Sequence, residues 1–300
     1  MEYRTLGKTG ERVSAIGIGG AHVPRARDAE ESIRLIRTAI EHGITFMDNC
    51  WDYAGGEAEV LMGRALRDGY RERVFLMTKI DGHTADVAAQ QIDQSLQRLQ
   101  TDRIDLLQIH EVIRPDDPER VFAPGGTIEA LLAARQAGKI RYIGFTGHKD
   151  PAIHLKMLGM GFDWDTVQMP LNCVDTHHKS FEAQVLPVLV ERGIGVLGMK
   201  PLAAGEAVRS GVATAEECLR YAMSLPTSVV ITGCDSLAIA EQAIRVWRDF
   251  TPMAPAEMAA LRARTAERAR GGALEGYKTG INFDGTVKNP HWLTTASVAA

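Results

Sequence analysis

Eight short β-rich runs separated by helical patterns constrain this chain more than any other feature. The runs occupy residues 15–18, 44–47, 74–78, 104–109, 142–145, 166–169, 195–199 and 229–232. Each begins roughly 25 to 40 residues after the last, about one βαβ step. Between them, residues 29–42, 87–99, 181–192 and 237–250 place apolar side chains at helical spacing, with Ser180 and Ser236 positioned to cap the last two. Alternation of this kind makes each helix a crossover between parallel strands. No linker rich in Pro, Gly or Ser interrupts the series, so one closed barrel fits better than two open sheets. The expected fold is therefore α/β, a TIM (β/α)8 barrel, with residues 1–300 as a single domain. Residues 3–14 read as a β-hairpin around Gly7 and Gly10 that closes the barrel bottom. Residues 255–270 read as a further helix and 271–300 as an irregular C-terminal tail.

Composition narrows the function classes. With 45% hydrophobic and 24% charged residues the chain has enough apolar material for a sizeable core. A net charge of -4, with acidic and basic residues interleaved, gives no support to a nucleic-acid partner. Residues 1–13 are polar where a signal peptide needs an apolar stretch, and no apolar run approaches about 18 residues. No membrane association is expected, and the location read from this is cytoplasmic. Cys50, Cys173, Cys218 and Cys234 lack the close paired spacings of zinc or redox motifs and are expected to be reduced, buried hydrophobes. No metal is expected.

A closed α/β barrel carries its site at the C-terminal ends of the strands. The second run ends in Asp48 within FMDNCWDY, the third in Lys79 within VFLMTKID, and the fourth in His110 within IDLLQIHE. Tyr53 follows Asp48 in the loop, where a phenol can reach back over the mouth. Singly, such residues are more often a helix cap, a surface charge or a hydrogen-bonded structural group. Together they make a proton-transfer set, in which Lys79 would lower the pKa of Tyr53 and Asp48 would hold Lys79 in place.

The strings DNCWDY with GGEAEVLMGRAL, then MTKI, then LLQIH, resemble the catalytic blocks of the aldo-keto reductase family in the family's order. The resemblance runs from the YRTLGKTG hairpin through KPLAAG to VITGCDS. It implies reduction of an aldehyde or ketone by hydride from NADPH, with Tyr53 as proton donor, Lys79 and Asp48 tuning it, and a neutral His110 orienting the substrate carbonyl. The implied partner is a small-molecule carbonyl compound.

A Rossmann fingerprint is absent, since GIGGAH has His22 where the last glycine would stand. The resemblance instead spreads the dinucleotide over the barrel mouth. Gly20 and Ala21 would line the floor beside Asp48, Thr146 and Gln168 would lie near the carboxamide, and Met199 near the ring. Lys200, Pro201, Leu202 and Gly205 of KPLAAG would follow. Gly233, Cys234, Asp235 and Ser236 would offer helix amides to phosphate, with Gln242 approaching the adenine. Thr146-Gly147 and Met199 depart from the family's usual Ser-Asn and aromatic, and Gly233 and Ile239 stand where cations for a 2′-phosphate are usual. NADP(H) is expected ahead of NAD(H). Trp51 and His110 would contact substrate, with Val112, Ile113, Phe283 and Trp292 as apolar wall candidates, Trp292 more as packing.

Three rivals remain at this point. A Schiff-base aldolase could use Lys79 or Lys200. A metal hydrolase could draw on Asp48, His110, His148, His177 and His178, although no two have recognised ligand spacing. A redox-sensing, cofactor-binding module of the same family would keep the barrel and give up turnover.

Overall fold

The computed structural model describes residues 1–294. Strands β1 (Tyr3–Thr5) and β2 (Arg12–Ser14) pair antiparallel as the hairpin. Next come β3 (Ile16–Gly19), β4 (Phe46–Asp48), β5 (Phe75–Ile80), β6 (Ile104–Ile109), β7 (Ile140–Thr146), β8 (Thr166–Pro170), β9 (Gly195–Met199) and β10 (Val229–Gly233). All eight are parallel and close on one another in chain order, with β10 returning to β3. The expected strand at 44–47 begins later because the Thr45 amide donates to Ser14 Oγ rather than to a neighbouring strand.

Side chains alternate across each strand, so two layers arise from one pattern. Met47, Leu76, Leu107, Ile143, Val167, Val196 and Val230 join the apolar layer shared with the outer helices. Phe46, Phe75, Met77, Leu106, Leu197, Val229 and Ile231 form a separate apolar cluster with Leu6 and Val13 of the hairpin segment. Phe46 and Phe75 stack at 5.5 Å between centroids, and Phe75 and Tyr142 at 6.1 Å. Each such ring taken from water contributes about 2 to 3 kcal/mol. Gly7 makes the plug fit: its φ is +50°, and a Cβ there would lie 2.3 Å from the Gly195 nitrogen.

The outer helices show two departures from expectation. Residues 181–192 form two short helices, Phe181–Gln184 and Leu186–Glu191, because Pro187 has no N–H to continue the first. Ser180 caps the first by accepting from the Ala183 amide at 3.0 Å, whereas Ser236 makes no side-chain bond to Leu237–Arg248. The helix expected to run to 270 stops as Pro255–Thr265. The tail holds short helical pieces, Gly276–Thr279, Gly285–Lys288 and Pro290–Trp292.

Candidate active site

The alternation that builds the apolar plug also delivers the polar groups of the mouth. Two residues beyond Phe46 on β4 stands Asp48, and two beyond Met77 on β5 stands Lys79. His110 follows β6 directly, its amide donating to the Ile80 carbonyl at 2.8 Å. All three side chains are buried. Lys79 Nζ donates to Asp48 Oδ1, to the Asn49 carbonyl at 2.7 Å and to Tyr53 Oη at 3.3 Å. The same ammonium lies 4.8 Å from the centre of the Tyr53 ring. The His110 ring meets the Tyr53 ring edge to face at 5.8 Å. The four residues of the proton-transfer set thus converge.

The loop that carries Tyr53 is pinned from beneath. Arg98 donates to the Trp51 carbonyl at 2.8 Å, and a Cβ on Gly56, φ +94°, would strike its guanidinium at 2.5 Å. Trp51 donates through Nε1 to Gln94 at 2.6 Å and meets Trp292 edge to face at 5.8 Å.

The electrostatics correct two expectations. Burial drives the Tyr53 phenol well above its ordinary range, and Asp48, Cys50, Asp52 and Glu111 push the same way. One ammonium does not offset desolvation plus that much negative charge, so Tyr53 stays fully protonated instead of becoming more acidic. His110 is biased toward its charged form rather than the neutral one. Burial works against its charge, but Asp81, hydrogen-bonded to Nδ1 at 2.9 Å, together with Asp52 and Glu111, raises it to about 9. Burial also lifts the Asp81 carboxyl to about 6 against the pull of His110.

Asp81 and Glu111 are functional neighbours that sequence reasoning passed over. Asp81 directly follows β5 within MTKID and Glu111 stands two residues beyond β6 within LLQIHE, and that placement was the available signal. The Glu111 carboxylate accepts from the Gly285 amide at 2.9 Å, the Thr286 amide at 2.8 Å and the Thr286 hydroxyl at 2.7 Å, tying the tail beside the site. Asp284 adds bonds to His148 at 3.0 Å and Lys149 at 2.8 Å.

The residues expected around a cofactor divide into two groups. Gln168 donates through Nε2 to Asp48 Oδ2 at 3.2 Å, and its buried Oε1 has no partner. Thr146 donates to the Met199 sulfur at 3.9 Å. Gly20 lies against Asp48 and Asn49, where a Cβ would come within 2.8 Å of both, and Ala21 follows it. Lys200, at φ +53°, points its ammonium over the Tyr277 and Phe283 rings at 5.4 and 5.8 Å. Burial lowers its pKa to about 8, and it makes no ion pair among the described residues. Pro201, Leu202 and Gly205, φ +89°, form the turn after β9. Gly233 lies under the His22 ring, Cys234 is buried, and Asp235 and Ser236 lead into the last barrel helix. Gln242 stands apart, in a groove with Arg220, Arg245 and Asp249 on the outer helices.

Val112 and Ile113 are both buried, Val112 within the apolar layer beneath the helices. Trp292 packs, as expected, on Trp51 and accepts at its carbonyl from Gln91 at 3.0 Å. The metal-hydrolase set does not assemble: His148 is held by Asp284 and His177 by Thr265 at 3.0 Å.

A family model described as the aldo/keto reductase family matches residues 15–210. The chain is 31% identical over 228 residues to an L-galactose dehydrogenase of Arabidopsis thaliana, covering 70% of this chain and 68% of that one. It is 30% identical over 212 residues to the aldo-keto reductase YhdN of Bacillus subtilis, covering 66% and 61%. In fold it is similar to the holo form of the aldo-keto reductase AKR11C1 of Bacillus halodurans. That match has a TM-score of 0.75 at 24% identity and covers 88% of this chain and 96% of that one.

Proposed function

The chain belongs to the aldo-keto reductase family and is an NAD(P)H-dependent oxidoreductase of carbonyl substrates, and from that premise we propose that Tyr53 is its proton donor. The observation that carries the assignment is the Lys79 ammonium bonded at once to Asp48, the Asn49 carbonyl and Tyr53 Oη. Family members characteristically use NADPH. When bound, the nicotinamide supplies the hydride.

Tyr53 holds its proton firmly, so it waits as a hydrogen-bond donor to the carbonyl oxygen. As negative charge develops there, the phenol passes on its proton, and the adjacent Lys79 ammonium stabilises the phenolate left behind. Asp48 fixes Lys79, and Gln168 fixes Asp48. His110, charged through Asp81, offers Nε2–H as a second donor to the same oxygen, which orients the carbonyl. A positively charged donor stabilises a developing oxyanion more than a neutral one.

The unpartnered Gln168 Oε1 and the Thr146 hydroxyl beside Met199 fit a carboxamide and its ring. The uncapped helix start after Ser236 fits phosphate oxygens. No arginine or lysine stands at Gly233 or at Ile239, which is 41% exposed, so the preference for NADPH over NADH is modest. A cytoplasmic location and one domain over residues 1–300 belong to the same proposal, supported by four free cysteines and a single closed barrel. Among the described residues no helix is long and apolar enough to cross a membrane.

Lys79 is committed to three acceptors, so a Schiff base there has no support. Lys200, with its amine lowered to about 8, keeps that route as the one alternative with an observation behind it. Fluorescence titration with NADPH and NADH, a panel of carbonyl compounds, and borohydride trapping decide among these. We expect tighter NADPH binding, NADPH-dependent turnover and no adduct. Equal or tighter NADH binding overturns the cofactor assignment, and a trapped adduct on Lys200 overturns the reductase mechanism.

A further inference from the structure

Behind the substrate-facing side of His110 lies a group of donors that proton transfer leaves over. Cys50 Sγ stands 3.2 Å from His110 Nδ1, Asp81 Oδ1 2.9 Å and Asp52 Oδ1 3.7 Å. All four donor atoms, one from each residue, lie within 4.8 Å of one another. Nδ1 carries at most one proton, so it satisfies one of its three neighbours. Asp52 Oδ1 and Asp81 Oδ2 are buried atoms without a hydrogen-bond partner, and the Asp81 side chain is fully buried. Buried carboxylate oxygens left open in this way retain acceptor capacity beyond what the His110 cation uses, and a bound ion is one way such capacity is met.

We propose that Cys50, Asp52, Asp81 and His110 bind a borderline-soft divalent cation of the Zn2+ type at the Nδ1 side of His110. The ligand set decides the class. A thiolate and an imidazole disfavour Mg2+ and Ca2+, which take oxygen ligands, and suit Zn2+ or Co2+. The spacing agrees as well. With bonds of about 2.0 to 2.3 Å, the edge of a tetrahedral site is about 3.4 Å, so the three separations from Nδ1 already lie near that edge, while donors as far apart as 4.8 Å must draw together by about an ångström on binding. The frame is already rigid: the Cys50 amide donates to Asn49 Oδ1 at 2.9 Å and the Asp81 amide to Gln91 Oε1 at 2.8 Å. Asp52, 12% exposed at its side chain, provides the approach from the mouth.

Coordination requires the thiol proton of Cys50 and the Nδ1 proton of His110 to leave. Two protons depart as a doubly charged ion enters, so the net charge of the four-residue site is unchanged, the imidazolium becoming a neutral ring and the thiol a thiolate. The ion fixes His110 with its remaining proton on Nε2, the atom assigned to the carbonyl. Binding itself does not depend on that catalytic assignment, since it needs neither nicotinamide nor carbonyl. The ligands come from the ends of two strands and the loop after a third, which is why no single spacing motif in the sequence announces them.

The test is a titration of the full-length protein with Co2+, read by the near-ultraviolet absorption of a thiolate-cobalt bond and by metal content after gel filtration. We expect one cobalt per chain, displaced by Zn2+. Cys50→Ser should abolish the band, and Asp81→Asn should keep it while weakening affinity at least about tenfold. Cys173→Ser should leave both unchanged. Circular dichroism confirms that each variant is folded, and Asp81→Asn carries the test alone if Cys50→Ser is not. A titration without a saturable band, a band that survives Cys50→Ser, or unchanged affinity in folded Asp81→Asn overturns the proposal.

Discussion

The two ends of the barrel interior are built by the same strands and differ in almost every physical respect. At the bottom, Phe46, Phe75, Leu106 and Leu197 meet Leu6 in an apolar plug. At the mouth, two to four residues further along β4, β5 and β6, stand Asp48, Lys79 and His110. The plug gains its stability from area removed from water, which tolerates exchange among similar shapes. The mouth holds charges whose burial is costly, and Asp48, Lys79 and His110 keep theirs through specific partners. A single alternating pattern thus yields a stabilising end and a reactive end, and the two should respond oppositely to substitution.

The largest expected effect lies at the bottom. Phe75→Ala removes a ring that stacks on both Phe46 and Tyr142 and should lower unfolding free energy by about 3 to 5 kcal/mol. The kcat of the folded fraction should stay near that of the parent. Chemical denaturation beside steady-state kinetics reads both, and a collapse of kcat with stability intact would erase the division between the ends.

Next comes Tyr53→Phe, with the reverse signature. It should cost at least about a hundredfold in kcat, roughly 2.7 kcal/mol of barrier, while cofactor affinity and melting temperature stay near the parent. Because the donated proton acts in the transition state, kcat and kcat/KM should fall together. Retention of more than about a tenth of the activity would point to another proton donor.

A smaller effect, of about one pKa unit or 1.4 kcal/mol, is expected from Asp81→Asn. In the metal-free protein His110 is raised to about 9, so kcat/KM measured with chelator present should hold to that pH and decline above it. The sign for stability follows from the same shift. A histidine raised on folding contributes fully below its unfolded value near 6.5, and that contribution is lost as pH climbs through about 9. Removing the Asp81 charge should move the alkaline limb at least about one unit lower. A limb that does not move would mean that His110 is not the group titrating there.

The smallest contrast compares helix starts. Thr214 exchanges bonds with Glu217 in both directions, at 2.8 and 3.1 Å, and Thr214→Ala should cost about 1 kcal/mol. Ser236 makes no such bond, so Ser236→Ala should change stability by less than about 0.5 kcal/mol. A cost equal to that of Thr214→Ala would show that the last barrel helix is capped after all, and would remove the case for amides left free for phosphate.

The sequence made the catalytic set legible because strand ends and barrel topology together say where a side chain must point. Asp48, Lys79 and His110 each stand at such an end. It did not reveal what those residues feel. The charge on His110 depends on Asp81, 29 residues away, and the state of Tyr53 on a sum of burial and several acids. Both are three-dimensional quantities that no spacing encodes. Glu111 was hidden for a related reason, its partners lying 174 and 175 residues on. The split at 181–192 was written in the chain as Pro187, but periodic apolar residues on either side masked it. Ser236 has the residue type of a cap without the bond.

The clasp between Glu111 and the tail has an evolutionary consequence. Two of its three bonds run to the backbone amides of Gly285 and Thr286, and a backbone amide is supplied by every amino acid except proline. The tail beside the mouth can therefore diverge in side chains while its anchorage persists. Inheritance of the proton chemistry, written in the first half of the barrel, is separated from inheritance of what sits over it. Drift within residues 280–294 would then vary the side chains held beside the site without disturbing the residues that carry the proton chemistry.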